Sequence, residues 1–238
     1  MGCDIHLAVE VRGGDGAWHR VHPPPEARSP WLVEQAAKPA ADEWYRTRAE
    51  RVWYDTRNYD AFAILAGVCN GSGFAGIQTG QGFVPIAEPR GLPGDMSPEV
   101  SALADPPEDS NDVWLGDHSH SWLTLAELEA CDWARTAYKC GVIPWADFLA
   151  RGDSLEPPSS YCGGISGPSI VTIEEGPARA ARASGDDLER GGAKVHVCVW
   201  WPESYAEAAG DLHTCLLPAL RGLGANPGDV RIVFGFDS

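Results

Sequence analysis

Asp4 and His6 stand two residues apart in the opening Met-Gly-Cys-Asp-Ile-His, and Asp117, His118, Ser119, His120 and Ser121 cluster in a later Gly-Asp-His-Ser-His-Ser-Trp. Imidazole and carboxylate are ligands that zinc, manganese and iron accept. If residues 3–11 form a strand, alternate side chains share a face about 6–7 Å apart. Asp4 and His6 then point one way, and Cys3, Ile5, Leu7, Val9 and Val11 form an apolar face on the other. Glu10 lies about 20 Å from Asp4 along such a strand and drops out. The expected metal set is Asp4, His6, Asp117 and His118, holding a divalent transition metal, zinc or manganese. Two other readings stand beside it. In one, these groups bond to loop backbone, with Asp117, Ser119 and Ser121 capping the helix that follows; in the other they line a metal-free pocket.

A second chemistry is anion recognition. Arg57 at a helix start, Tyr59 beside it and Arg90 in a Gly-Leu-Pro loop are suited to phosphate or carboxylate, since guanidinium forks and helix N-termini both favour anions. The alternative leaves Arg57 solvated, or paired with Asp55 or Asp60. A cysteine nucleophile ranks third, because alternation places Cys3 opposite His6 and makes it a core thiol. The ten tryptophans read mainly as core and loop anchors, Trp31 and Trp44 among them, with a base-stacking platform as the other use.

These residues need elements to position them. The strand over 3–11 turns through Gly13-Gly14-Asp15-Gly16 into a second strand ending at Val21, a hairpin closed off by Pro23-Pro24-Pro25. Residues 26–50 are expected to be irregular or partly helical. Asp55 or Thr56 is the expected cap of a helix with apolar Tyr59, Phe62, Leu65, Ala66 and Cys69, stopped by Asn70-Gly71. Residues 71–116 show little periodicity and read as a long loop. Thr124-Leu-Ala-Glu127 is a capping box, which puts the His118 cluster in the loop before a helix. A short helix fits 144–150, and strands fit 169–174, 194–201 and 230–236. Residues 176–193 read as an exposed loop, and a helix over 203–223 is interrupted near Pro218. The expectation is a single α+β domain over 1–238, with a mixed, mainly antiparallel sheet, helices packed on it, long loops and one right-handed crossover near the C-terminus.

Composition narrows the function. The formal charge is −16, and only Lys38, Lys139 and Lys194 are lysines among eighteen basic residues, so a sequence-independent grip on nucleic acid is not expected. A local arginine cluster or a metal still permits a phosphorylated small molecule. Seven scattered cysteines without a Cys-x-x-Cys pair suggest free thiols in a reducing compartment. No apolar run approaches the roughly 20 residues needed to span a bilayer, and no signal-peptide pattern opens the chain, so a cytoplasmic protein without a membrane partner is expected.

The early Asp-x-His with a late His-x-His resembles how binuclear metallophosphoesterases begin and end their ligand set, although their intervening Gly-Asp-x-x-Asp and Gly-Asn-His segments have no counterpart here. More extensively, MGCDIH, RNYDAFAILAGV (57–68), RGLP (90–93), HSHSWLTLAEL (118–128) and VRIVFGFD (230–237) resemble a widespread family of uncharacterised bacteriophage and prophage proteins. That resemblance implies a phage-encoded accessory protein in the cytoplasm of its bacterial host. It places Cys3, Asp4, His6, Arg57, Tyr59, Arg90, His118, Ser119 and Ser121, but not His120, in recurrent motifs. The expected function is metal-dependent hydrolysis of a phosphorylated, nucleotide-like substrate. Asp4, His6 and His118 would hold the metal that activates water; Arg57, Tyr59, Arg90, Ser119 and Ser121 would bind substrate. The alternatives are a non-enzymatic binder that sequesters a signalling nucleotide, and an accessory factor that engages a protein partner.

Overall fold

The computed structural model describes residues 2–108, 110, 112–189 and 192–237. Strand β1 (Asp4–Arg12) turns into β2 (Trp18–Val21), and the two pair antiparallel as the alternation predicts. Beyond the prolines come α1 (Pro30–Ala36) and α2 (Glu43–Arg51). Each starts on a side chain that accepts a free backbone N–H: the Ser29 hydroxyl from Leu32, and the Asp42 carboxylate from Trp44. Helix α3 (Tyr59–Ala66) is capped by Asn58 rather than Asp55 or Thr56, with the amide oxygen accepting from Asp60 and Ala61. It ends at Gly67, before Asn70-Gly71, because Gly67 takes the left-handed conformation (φ 71°) without a Cβ clash.

Residues 71–116 are largely irregular, with a 3-10 turn at Phe74–Gly76 and one short helix, α4 (Pro98–Ser101). Buried Val100, Leu103, Val113 and Leu115 pin the segment to the body. The His118 cluster departs from expectation: it is strand β3 (His118–Thr124), which runs directly into α5 (Leu125–Ala130) through the Thr124–Glu127 capping box. Strand β4 (Thr136–Pro144) has no counterpart among the expected elements, and α6 (Trp145–Arg151) follows it.

Strand β5 (Ile170–Glu174) leads into α7 (Glu175–Ser184), so the expected loop over 176–193 begins as a helix. Pro177 falls in its first turn, where a missing N–H costs nothing. Arg179 bridges back one turn to Glu175, and Ala178 and Ala181 are buried against the next strand, β6 (Lys194–Ser204). The expected helix over 203–223 breaks at Gly210 (φ 53°) rather than at Pro218. It consists of α8 (Tyr205–Ala209), a π-helical turn (Leu212–Leu216) and α9 (Leu217–Gly222), with Pro218 tolerated in the first turn of α9. Strand β7 (Val230–Asp237) completes the set.

The architecture is α+β and mainly antiparallel, with its strands divided between two sheets. The larger has the order β2-β1-β7-β3; the smaller, β4-β6-β5, is mixed because β5 and β6 run parallel. The parallel crossover is therefore β5-α7-β6, not the expected one from β6 to β7, which lie in different sheets. In the larger sheet Cys3, Ile5, Leu7 and Val9 meet Ile232, Phe234 and Phe236 in one core. The opposite face buries Ala8 and Val233 under Leu32, Ala49, Val52 and Leu115. Lys139 of β4 ties the smaller sheet to α3, since its ammonium contacts Asp60 of α3 and lies 3.6 Å from Glu203 of β6. Burial opposes the charge on Lys139, but the two carboxylates outweigh it and hold its pKa above the ordinary value.

Candidate functional site

The register of β1 against β7 builds the site. Asp4 lies opposite Asp237 and His6 opposite Gly235, so Asp4, His6 and Asp237 share one face. His6 Nε2 is 3.1 Å from Asp237 Oδ2, and the Asp4 N–H donates to Asp237 Oδ1 at 3.1 Å. The His6–Asp237 contact lacks the alignment of a hydrogen bond, and both ring nitrogens of His6 are buried with no hydrogen-bond partner among the described residues. The Trp114 ring packs on the imidazole at 5.6 Å, tilted by 46°.

Asp4 is held by Arg57 through two hydrogen bonds of 2.6 and 2.5 Å. Those bonds hold its carboxyl below the ordinary range and raise the guanidinium in turn. Arg57 thus takes a partner other than Asp55 or Asp60. The Tyr59 hydroxyl accepts from the Cys3 N–H at 3.2 Å, a contact that fixes the start of β1 on α3. The Cys3 thiol points into the core, and burial pushes its pKa up to about 12, so it is no nucleophile.

Asp4 and His6 line a cavity of about 1650 Å³ whose opposite walls come from α1, α2 and the helices before β7. Trp31 and Trp44, read as anchors from the sequence, are 53% and 38% exposed and line this cavity with Trp114. Both contact Tyr45 edge-on, at 5.9 and 4.9 Å. Arg48, also in the wall, stacks on Trp44 at 4.6 Å, and its Nε is buried without a hydrogen-bond partner. Burial lowers its pKa, partly countered by Asp55, and as an arginine the guanidinium stays charged. Asp112 in the same wall is already neutralised. Burial pushes its carboxyl up, but Arg20 at 2.8 and 2.7 Å and Arg51 at 2.6 Å bring it well below the usual range.

The remaining expected residues lie elsewhere. His118 pairs with Phe236, the neighbour of Gly235 on β7, and therefore faces away from His6. Its ring stacks on Phe236 (6.1 Å, 25°), with Nδ1 3.0 Å from the Ser119 hydroxyl. Ser119 has φ 50° within a register shift between His118 and Ser121. That bulge puts His120, not His118, over Gly235 on the His6 face, where its Nε2 is 3.0 Å from the Gly116 carbonyl oxygen. Asp117 is exposed, and its N–H donates to the Phe236 carbonyl. The Ser121 hydroxyl accepts from the Arg90 N–H; the Arg90 guanidinium bonds Glu127 at 2.6 Å and lies over Trp122.

Asp4, His6, Asp117 and His118 accordingly do not converge, and among the described residues no group of three or more His, Cys, Asp or Glu is arranged to hold a metal ion. Two groupings replace the single expected cleft: Asp4, His6, Arg57 and Tyr59 at one end of β1, and Arg90 with Ser121 at the β3 edge. Asp237, Trp114 and Arg48 were not anticipated. The signal for Asp237 was the terminal Gly-Phe-Asp, whose alternation matches that of Asp-Ile-His once the two strands are neighbours. No protein-family model, curated protein or solved structure matches the chain.

Proposed function

We propose that the cleft binds a small phosphorylated, nucleotide-like molecule. The observation that carries this reading is Arg48, a guanidinium with a buried, unpartnered Nε in a wall that also presents Trp31 and Trp44. Phosphate oxygens are natural acceptors for such a group, and a planar base stacked on indole gains about 1–3 kcal/mol. Asp4 and Asp112 already have arginine partners, so they repel an anion less than their number suggests. Asp55 and Asp211, also in the lining, offer acceptors for the amino groups of a base. The phage setting implied by the sequence motifs makes a host signalling nucleotide a suitable ligand class. No helix among the described residues is long and apolar enough to cross a membrane.

Titration calorimetry with ATP, GTP, cyclic mononucleotides and cyclic dinucleotides tests the reading. At least one should bind, and Arg48→Ala or Trp44→Ala should weaken it ten-fold or more with the fold intact by circular dichroism. Absence of binding by every compound, or unchanged binding in Arg48→Ala, overturns it.

A further inference from the structure

We infer that His6 and Asp237 form an acid–base pair that hydrolyses a phosphoester of the ligand bound beside Arg48, an inference that rests on the binding reading above. The two groups come from strands β1 and β7 and meet diagonally across the ladder, 3.1 Å apart, with His6 in the lining of the cavity. A carboxylate beside one imidazole nitrogen orients the ring and favours the imidazolium that forms when the other nitrogen takes a proton. Both ring nitrogens are buried without an aligned hydrogen-bond partner among the described residues, so Nδ1, the one away from Asp237, is free to accept a proton from a bound water. Trp114 packs on the ring with centroids 5.6 Å apart, and both residues line the cavity.

The step balances without another reagent. Water oxygen forms a bond to phosphorus as His6 Nδ1 takes one of its protons. The ester P–O bond breaks, its electron pair leaves with the departing oxygen, and the His6 imidazolium returns the proton to that oxygen. Arg48 stabilises the charge on the non-bridging oxygens, and Asp237 is a positioning residue that acts through His6. Arg57 keeps Asp4 charged and turned toward itself, out of the reaction.

The test incubates the nucleotides that bind in the calorimetric panel with the protein in ¹⁸O-labelled water, with and without EDTA, and analyses the products by mass spectrometry. The expected result is a product whose newly opened phosphoryl group carries one ¹⁸O, formed equally with EDTA present. His6→Gln should cut the rate at least 100-fold, and Asp237→Asn at least ten-fold in kcat with KM unchanged. Binding retained by both variants shows that they fold. A nucleotide that binds and is recovered intact overturns the acid–base pair while leaving the binding reading in place, and identifies a sequestering protein. Cleavage abolished by EDTA, or undiminished in His6→Gln, also overturns it. Absence of binding by the whole panel removes the binding reading itself, and the acid–base inference with it.

Discussion

His6 and His118 flank the same strand, β7, from opposite faces: His6 lies across from Gly235, and His118 across from Phe236, on which its ring stacks. Adjacent residues of an extended strand point in opposite directions, so the two imidazoles are separated by the sheet itself. One histidine belongs to the cleft and the other to the packing over the core.

Substitution should separate those roles. His118→Ala removes a ring stacked on buried Phe236 and should lower stability by about 1–2 kcal/mol while leaving nucleotide binding unchanged. Urea denaturation and calorimetry on the same sample check both halves. Loss of binding with stability preserved would contradict this placement.

Gly235 is a second marker of the arrangement. A Cβ there would collide with the Leu115 carbonyl oxygen and stand 2.5 Å from His120 Cδ2. The obstruction includes backbone, which cannot rotate away as a side chain can. Gly235→Ala should therefore cost about 1–3 kcal/mol or more and lower the thermal midpoint, whereas Gly14→Ala, with nothing near its added carbon, should leave that midpoint almost unchanged.

The Asp4–Arg57 pair predicts a pH dependence. The Arg57 hydrogen bonds lower the Asp4 pKa in the folded state, so the stabilisation is present above the unfolded value, about 3.9, and disappears as pH falls through the lower folded value. Both side chains are partly exposed, which limits the effect to about 1 kcal/mol. Arg57→Ala should thus be less stable than the parent at neutral pH, and the difference should vanish in strong acid. Chemical denaturation across that range measures it.

At the far end of the same face a buried network replaces the cleft. Glu10 and Arg231, 0% and 2% exposed, are joined at 2.7 Å; Glu10 also accepts from the Ser97 N–H, and Arg231 bonds Asp95 and lies 3.9 Å over Trp18. Removing one partner strands a buried charge. Arg231→Met should cost about 3–5 kcal/mol, and Glu10→Leu combined with Arg231→Met should recover much of the loss. A double-mutant cycle in urea supplies the comparison.

Local chemistry was legible in the residues. The alternation over 3–11 separated Asp4 and His6 from Cys3, Ile5 and Leu7, and that separation is the one the sheet has. Thr124 and Glu127 announced a helix start, and both bonds of the capping box are present. Glu10 was rightly excluded from the Asp4 site on reach alone. Helix α7 was hidden because its polar, arginine-rich sequence carries only a narrow alanine stripe, and the apolar surface that receives the stripe belongs to β6.

Sequence by itself determined what depends on neighbours along the chain: strand alternation, caps, turn glycines and the sorting of Cys3 into the core. Tertiary structure decided what depends on pairing between distant segments. Nothing local to Asp-Ile-His indicates that Asp237 will lie beside His6, since that follows from the register of β1 against β7. Likewise, the histidine that shares the His6 face was decided by a bulge at Ser119, because one shifted residue in a strand exchanges its two faces.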